Sequence, residues 1–249
     1  MSDFTVECGV KRTAKLLTEA KNVIVLTGAG MSTESGIPDF RSRTGIYSSN
    51  PSDILSANYF EAHPKEFWDF IKKYLNWVNV EPNIGHKIIA EWEQKGLVKS
   101  IITQNIDGLH QKAGSSNVLQ IHGTMATASC DGCLRKYNMD FVMRQEEPYK
   151  CVACGDPYVR PDVVLFGETV SAASEAIKIA KQADLMIVMG TSLQVYPVAS
   201  LPGKIKYGGN VVIINNSVTD YDYRKNVIAI KNGIGDTLTK INEILCTNS

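Results

Sequence analysis

Residues Val23 to Arg41, VIVLTGAGMSTESGIPDFR, constrain the fold more than any other stretch of the chain. Val23-Ile24-Val25-Leu26 is a continuous aliphatic run, the pattern of a strand buried on both faces of a parallel sheet. A glycine turn follows directly. Gly28, Ala29 and Gly30, with Ser32 and Thr33 behind them, let the backbone bend sharply and come close to a bulky ligand. Hydroxyls and free amides then gather where a helix begins, which suits a phosphate and supplies half of a dinucleotide site. The other half is missing. A full fingerprint has a third glycine three residues after the second and an acidic residue about 20 positions on to hold a ribose. Thr33 stands at the third-glycine position, and Gly36-Ile37-Pro38-Asp39-Phe40-Arg41 follows instead of a strand ending in Asp or Glu. An ordinary hydride-transfer dehydrogenase is therefore disfavoured.

A chain of 249 residues with 44% hydrophobic content can bury one large α/β core and still carry an inserted module. Its 26 basic and 26 acidic residues cancel, so an electrostatic grip on nucleic acid or an anionic membrane is not expected. The N-terminal text has scattered charges and no apolar core of a signal peptide, and no run reaches the roughly 20 apolar residues of a membrane span. A cytoplasmic location is the expectation. In that compartment six cysteines read better as metal ligands plus spare thiols than as disulfides.

Apolar positions at helical spacing from about Val10 to Ala20 predict a helix on the sheet. Arg41 to Asn50 is polar and glycine-containing, and reads as a mobile loop over the ligand. From Pro51 to Gly96 the text is helical and aromatic, and the plain reading is a helical layer that buries its rings. Strands are predicted at Val98–Thr103, Val118–Ile121, Val163–Phe166, Leu185–Met189 and Val211–Ile214, with a helix near Ser171–Lys181 and a last strand and helix over Val227–Leu245. Repeated strand-then-helix text predicts an α/β fold, a doubly wound parallel sheet of Rossmann-like type. Residues 1–125 and 159–249 would form it, with a helical insertion at about 45–96 and a cysteine-rich module at 126–158.

That module contains Cys130-x2-Cys133 and Cys151-x2-Cys154, two knuckles at the spacing of a tetrahedral four-thiolate zinc site. No histidine or carboxylate opens the set, so the site reads as closed and structural; a redox reading of each Cys-x-x-Cys is the lesser alternative. Cys8 and Cys246 read as free thiols. Among four histidines, His122 alone follows a buried strand directly and precedes a glycine, at the sheet edge shared with Gln104-Asn105-Ile106-Asp107 and the glycine turn. A lone histidine is commonly a core residue, but that company points to a general base. His86 and His110 read as helix or loop positions.

GAGMS with GIPDFR, then TQNID, His122-Gly123, the zinc knuckles, Phe166-Gly167-Glu168 and Gly190-Thr191-Ser192 stand in an order that resembles the sirtuins, the NAD-dependent protein deacylases. The resemblance runs from about Ala20 to the C-terminus. It implies NAD as co-substrate, one structural zinc ion, and acyl-lysine proteins or peptides as substrates. By the same resemblance Gly28, Ala29, Gly30, Ser32 and Thr33 line the phosphates, and Asp39, Phe40 and Arg41 lie over the nicotinamide ribose. Gln104 and Asn105 would position ribose and water, and Ile106 and Asp107 would hold the nicotinamide amide. Gly190, Thr191, Ser192, Asn215 and Ile234 would take the adenosine half, which accounts for the missing acidic residue. In the family the acyl oxygen displaces nicotinamide, a histidine takes a ribose proton so that the 2′ oxygen attacks, and water releases lysine and acyl-ADP-ribose. His122 and Asn105 fit the catalytic positions. The peptide is expected as an extended strand against Val164, Phe166, Gly167 and Glu168 on one side and Val195 on the other.

Two competing readings remain: transfer of ADP-ribose to a protein, and a non-enzymatic NAD-sensing adaptor. Intact His122, Asn105, Asp107 and zinc cysteines argue against both. On the helix Lys65 to Trp77, the positions at which the desuccinylating branch carries tyrosine and arginine are Ile71 and Tyr74 in an ungapped register, a pair without a cation. A preference for neutral acyl groups follows.

Overall fold

The computed structural model describes residues 3–77 and 79–247. The chain runs α1 (Asp3–Glu19), β1 (Val23–Thr27), α2 (Ala57–Ala62), α3 (Pro64–Tyr74), α4 (Ile84–Gln94), β2 (Val98–Thr103), α5 (Leu109–Lys112) and β3 (Val118–Gln120). It continues through β4 (Gly123–Cys130), β5 (Lys136–Asn138), α6 (Met139–Met143) and β6 (Val159–Val163), then α7 (Ala173–Gln182), β7 (Leu185–Met189), β8 (Asn210–Ile214), β9 (Val227–Ile230) and α8 (Ile234–Thr247).

Six strands form one sheet in the order β3-β2-β1-β7-β8-β9, and every pairing is parallel. Strand periodicity sorts its side chains to two faces. Val23 and Val25 of β1 join Ile187 and Val212 in a core roofed by residues of α1, α4 and α8. Ile24 and Leu26 face the other way, with Ile102, Met186, Ile213 and the α7 alanines Ala176 and Ala180. Each fully buried Val, Leu, Ile or Met among these contributes roughly 1.5–3 kcal/mol by leaving water, which is why β1 is aliphatic from Val23 to Leu26.

The aromatics of α2 and α3 are core, as their spacing predicts. Phe60, Phe67, Trp68 and Phe70 pack in a third cluster with Ala128, Cys130, Val142 and Cys151 of the cysteine-rich region. Trp68 Nε1 donates to the Val159 carbonyl at 2.8 Å and ties α3 to β6.

Three expectations need correction. The first helix starts at Asp3 rather than near Val10. The segment after the glycine turn, Ala29–Ser35, is a 3-10 helix that ends at Gly36 with φ +90°. The expected strand Val163–Phe166 does not join the parallel sheet. Strand β6 ends at Val163 and pairs antiparallel with β4 in a separate three-stranded sheet, order β5-β4-β6. Pro161 is tolerated there because β6 is an edge strand with one free side. Residues 164–166 then leave the sheet, and Phe166 makes a single bridge with Ser56.

Candidate active site

From β1 the chain builds outward to β2 and β3, then crosses back to β7, β8 and β9 on the other side, so strand order reverses between β1 and β7. In open parallel sheets ligands bind at the carboxyl ends of the strands at such a point. Both strands end there in glycine. The Gly30 amide donates to the Gly190 carbonyl at 2.8 Å, and a Cβ added at Gly30 would stand 2.7 Å from the Gly190 Cα. Gly190 has φ +61°, and a side chain there would overlap the Met31 amide. The two turns can interlock only as glycines, and the result is a floor of backbone.

Over this floor lies a cavity of about 800 Å³. The structure brings to it each candidate residue of the glycine turn, Gly28, Ala29, Gly30, Ser32 and Thr33, and of the segment after it, Asp39, Phe40 and Arg41. Gln104, Asn105, Ile106, Asp107 and His122 line it too, as do Gly190, Thr191, Ser192, Asn215 and Ile234. The same lining includes Val164, Phe166, Gly167, Glu168 and Val195. Thr33 is accommodated where a third glycine was expected because its hydroxyl turns back to the Gly30 carbonyl at 2.9 Å.

The polar groups at the floor are bound to one another. Gln104 Nε2 donates to Thr191 Oγ1 at 2.9 Å, joining the ends of β2 and β7 across Gly28. Asn105 Nδ2 donates to the Gly28 carbonyl and to Ser32 Oγ, both at 3.1 Å, and Ser32 in turn donates to Asp107 Oδ2 at 2.6 Å. The other Asp107 oxygen accepts the Leu109 amide at 2.9 Å. Burial raises the Asp107 pKa above the usual carboxylate value, opposed by the bonds from Ser32 and the backbone.

His122 follows β3 and sits at the rim. Its Nδ1 lies 3.2 Å from the Gln104 carbonyl, which can only accept, so the proton is on Nδ1 and Nε2 keeps its lone pair. Burial lowers the ring's pKa below the usual imidazole value; the Gln104 carbonyl opposes this and the nearby Arg41 charge adds to it. The ring is therefore a neutral acceptor at neutral pH, the state a general base requires.

Glu168 lines the cavity, yet its carboxylate is engaged by Arg160 of β6. Two N–H groups of Arg160 donate to it at 2.6 and 2.8 Å, and the Leu165 amide donates at 2.7 Å. The loop at Arg41–Asn50 folds back on the preceding segment: the Ile46 and Tyr47 amides donate to the Asp39 and Phe40 carbonyls at 2.8 and 2.9 Å. Tyr47, Leu55, Leu75, Trp77 and Met125 also line the cavity. Sequence reasoning missed Leu55, Leu75 and Trp77 because apolar residues on helical text read as core; Tyr47 falls in the loop read as lying over the ligand, and Met125 is on β4. Ile71 of α3 lines it as well, while Tyr74 does not and packs on Phe70 with ring centroids 5.0 Å apart.

The four cysteine sulfurs lie within 4.8 Å of one another, with Cys130–Cys154 and Cys133–Cys151 both at 3.7 Å. A tetrahedron with Zn–S bonds of about 2.3 Å has edges of about 3.8 Å, so the set fits a zinc ion and is far too wide for disulfides. Tyr137 Oη lies 2.9 Å from Cys151 Sγ and supports that ligand. Cys8 and Cys246 are exposed and apart from the cluster.

His86 and His110, read earlier as helix or loop positions, are both buried, with ring centroids 4.9 Å apart. Burial brings their pKa values down to about 4 and about 3, the His110 value lowered further by His86. Both stay neutral in the folded chain and charge once it unfolds near the ordinary value of about 6.5. Stability from this pair is therefore full above that value and is lost as pH falls through it. At about pH 5 each ring is expected to cost about 2 kcal/mol relative to neutral pH. Denaturant melts of wild type and His86→Gln at the two pH values check this; equal pH sensitivity in both proteins would refute it.

The Sir2 family profile matches residues 28–197, two thirds of the chain, over the glycine turn, the TQNID segment, His122 and the cysteines. The chain belongs to the Sir2 family. Among curated sirtuins, the NAD-dependent protein deacetylase of Caldivirga maquilingensis is 43% identical over 230 residues, covering 89% of each chain. A solved Sir2 variant with deacetylated p53 peptide and 3′-O-acetyl ADP-ribose superposes with TM-score 0.89 at 37% identity, over 94% of this chain and 98% of that one. Sir2Tm bound to a propionylated peptide superposes with TM-score 0.85 at 36% identity, over the same shares. This sirtuin thus shares the overall fold of these solved Sir2 structures.

Proposed function

We infer that this sirtuin removes acetyl groups from protein lysine side chains at the expense of NAD, releasing nicotinamide, deacylated lysine and O-acyl-ADP-ribose. The carrying observation is His122, neutral and with Nε2 free, on the rim of a cavity whose floor holds Asn105 and Asp107 in fixed orientations. NAD bound there brings a glycosidic bond whose cleavage leaves an electrophilic sugar carbon. The chain's own part is orientation and proton handling. Backbone amides of the glycine turn, with Ser32 and Thr33, hold the phosphates, and Thr191, Ser192, Asn215 and Ile234 take the adenosine half. Asp107 and Ile106 hold the departing amide, and Gln104 and Asn105 set the ribose and water. His122 Nε2 accepts the ribose proton while Nδ1–H rests on the Gln104 carbonyl.

The acyl-lysine peptide adds as a strand between Val164–Glu168 and the segment around Val195, with Phe166 walling the side-chain tunnel. The zinc-binding module of 126–158 is a structural insertion in the NAD-binding domain of 1–125 and 159–249. Among the described residues no helix is long and apolar enough to cross a membrane. The reduced four-thiolate set suits a cytoplasmic setting.

Incubation with NAD and an acetyl-lysine peptide, with products identified by mass, tests the activity. Loss of the acetyl mass with formation of acetyl-ADP-ribose is expected. ADP-ribose attached to protein, or no nicotinamide release, would overturn the reading.

The acyl tunnel is expected to favour neutral groups. Ile71 is the only α3 residue in the cavity lining, and Leu55, Leu75, Trp77 and Met125 continue an apolar wall. The α3 lysines point elsewhere: Lys72 Nζ donates to the Gln145 carbonyl at 2.7 Å, and Lys73 lies over the Tyr74 ring at 4.9 Å. A succinyl carboxylate would enter without a cationic partner, a loss worth at least tenfold in kcat/KM. Acetyl-, butyryl- and succinyl-lysine on one peptide provide the comparison; succinyl turnover equal to acetyl would refute the expectation.

A further inference from the structure

Beneath the site lies a buried chain of hydroxyls that ends on an imidazole. The Asn105 amide donates to Thr103 Oγ1 at 3.0 Å, and Thr27 Oγ1 donates to the same oxygen at 2.8 Å. Thr27 and Thr103 are paired residues at the carboxyl ends of β1 and β2, and both are buried. With its proton committed to Thr103, Thr27 is left to accept, and His110 Nε2 stands 3.0 Å away as the donor. His110 is on α5, 1% exposed, and its Nδ1 has no partner.

The same helix closes the circuit. Its first residue, Leu109, donates its amide to Asp107, and Asp107 accepts from Ser32, which accepts from Asn105. Asn105, Thr103, Thr27, His110, α5, Asp107 and Ser32 thus form one closed ring of bonds. Three of its members, Ser32, Asn105 and Asp107, line the cavity, and His110 is the ring member whose bond spans from α5 to β1. A helix of four residues, Leu109–Lys112, has too few internal bonds to hold its own position. An outside anchor is therefore needed to keep Asp107 and Asn105 at a fixed separation.

We propose that His110 is a positioning residue for the nicotinamide end of the site, acting through Thr27 and Thr103 on Asn105 and through α5 on Asp107. It touches no substrate. It serves as a neutral N–H donor buried where water does not compete, so the ring has one arrangement rather than several. This inference rests on the assignment of Asn105 and Asp107 made above.

Three variants of the full-length protein test it, with steady-state deacetylation and nicotinamide base exchange as readouts. His110→Leu keeps the bulk and removes the donor. It is expected to raise KM for NAD and the nicotinamide concentration for half-maximal exchange by about fivefold, the effect of one lost buried hydrogen bond. KM for the acetyl peptide should stay within about twofold. His110→Gln, whose amide nitrogen reaches the Nε2 position, is expected to restore both constants. Thr27→Val cuts the same ring at its middle, so the double variant with His110→Leu should be no worse than the more affected single variant. A purely structural role would lower the melting temperature while leaving these constants unchanged, and that result overturns the proposal, as does full additivity of the two substitutions. Should His110→Leu fail to fold, Thr27→Val and His110→Gln decide alone. Asp107→Asn is run alongside: unchanged nicotinamide sensitivity in that variant means that the site assignment has failed, whereas a response there with none at His110 or Thr27 refutes the ring alone.

Discussion

His122→Ala is expected to lower kcat for deacetylation by on the order of 10²–10⁴-fold, the usual contribution of a positioned general base. NAD affinity and the melting temperature should change little. The side chain is at the rim of the cavity and makes one polar contact, with the Gln104 carbonyl, so its removal leaves no core group unpaired. The pH profile gives an independent check. Burial lowers the His122 pKa, so the active neutral form is expected to persist to lower pH than in a free imidazole. Activity that depends on it is present above that lowered pKa and is lost as pH falls through it. The acid limb of kcat/KM is therefore expected to have its midpoint below about 6.5. Near wild-type turnover in His122→Ala would remove the residue from the mechanism.

Chelation of zinc is expected to have the other large effect. Thiolate sites of this kind contribute on the order of 10 kcal/mol to the folding of their modules, because the unfolded chain holds no preformed site. Cys130 and Cys151 belong to the buried cluster that the three-stranded sheet shares with α2 and α3, so loss of the ion loosens the cysteine-bearing turns from that cluster. One zinc per chain should be found by elemental analysis. Stripping it should expose 126–158 to hydrogen exchange while β1, β2, β7 and β8 stay protected. Mn²⁺ and Mg²⁺, which prefer oxygen ligands, should not restore the module. Retained protection there, with activity recovered on adding such ions, would make the ion catalytic rather than structural.

The parts of the fold that were legible in the sequence are those set by local pattern. An aliphatic run, a glycine turn and two cysteine knuckles each carry their geometry within a few residues, and β1, the Gly28–Gly30 turn and the thiolate cluster lie where they were expected. The doubly wound sheet followed from repetition of one such pattern. What escaped was decided by partners distant in sequence. β6 was misplaced because Pro161 reads as a break in a strand, and an edge position accommodates it only once β4 is known to lie on one side. His86 and His110 looked ordinary because their burial arises from α4 and α5 packing together. Leu75 and Trp77 were hidden by their chemistry: an apolar residue that lines a tunnel has the same text as one that fills a core. The 3-10 form of Ala29–Ser35 had no signal beyond the glycine at its end.

The grip of Arg160 on Glu168 bears on how such a protein can change over generations. Arg160 belongs to β6 of the three-stranded sheet, and its two parallel bonds to Glu168 couple that sheet to the loop that walls the cavity. A change in the cysteine-bearing excursion that shifts β6 therefore reaches that wall through this ion pair. Selection on the wall is thus expected to extend to Arg160, a residue that neither binds metal nor reacts.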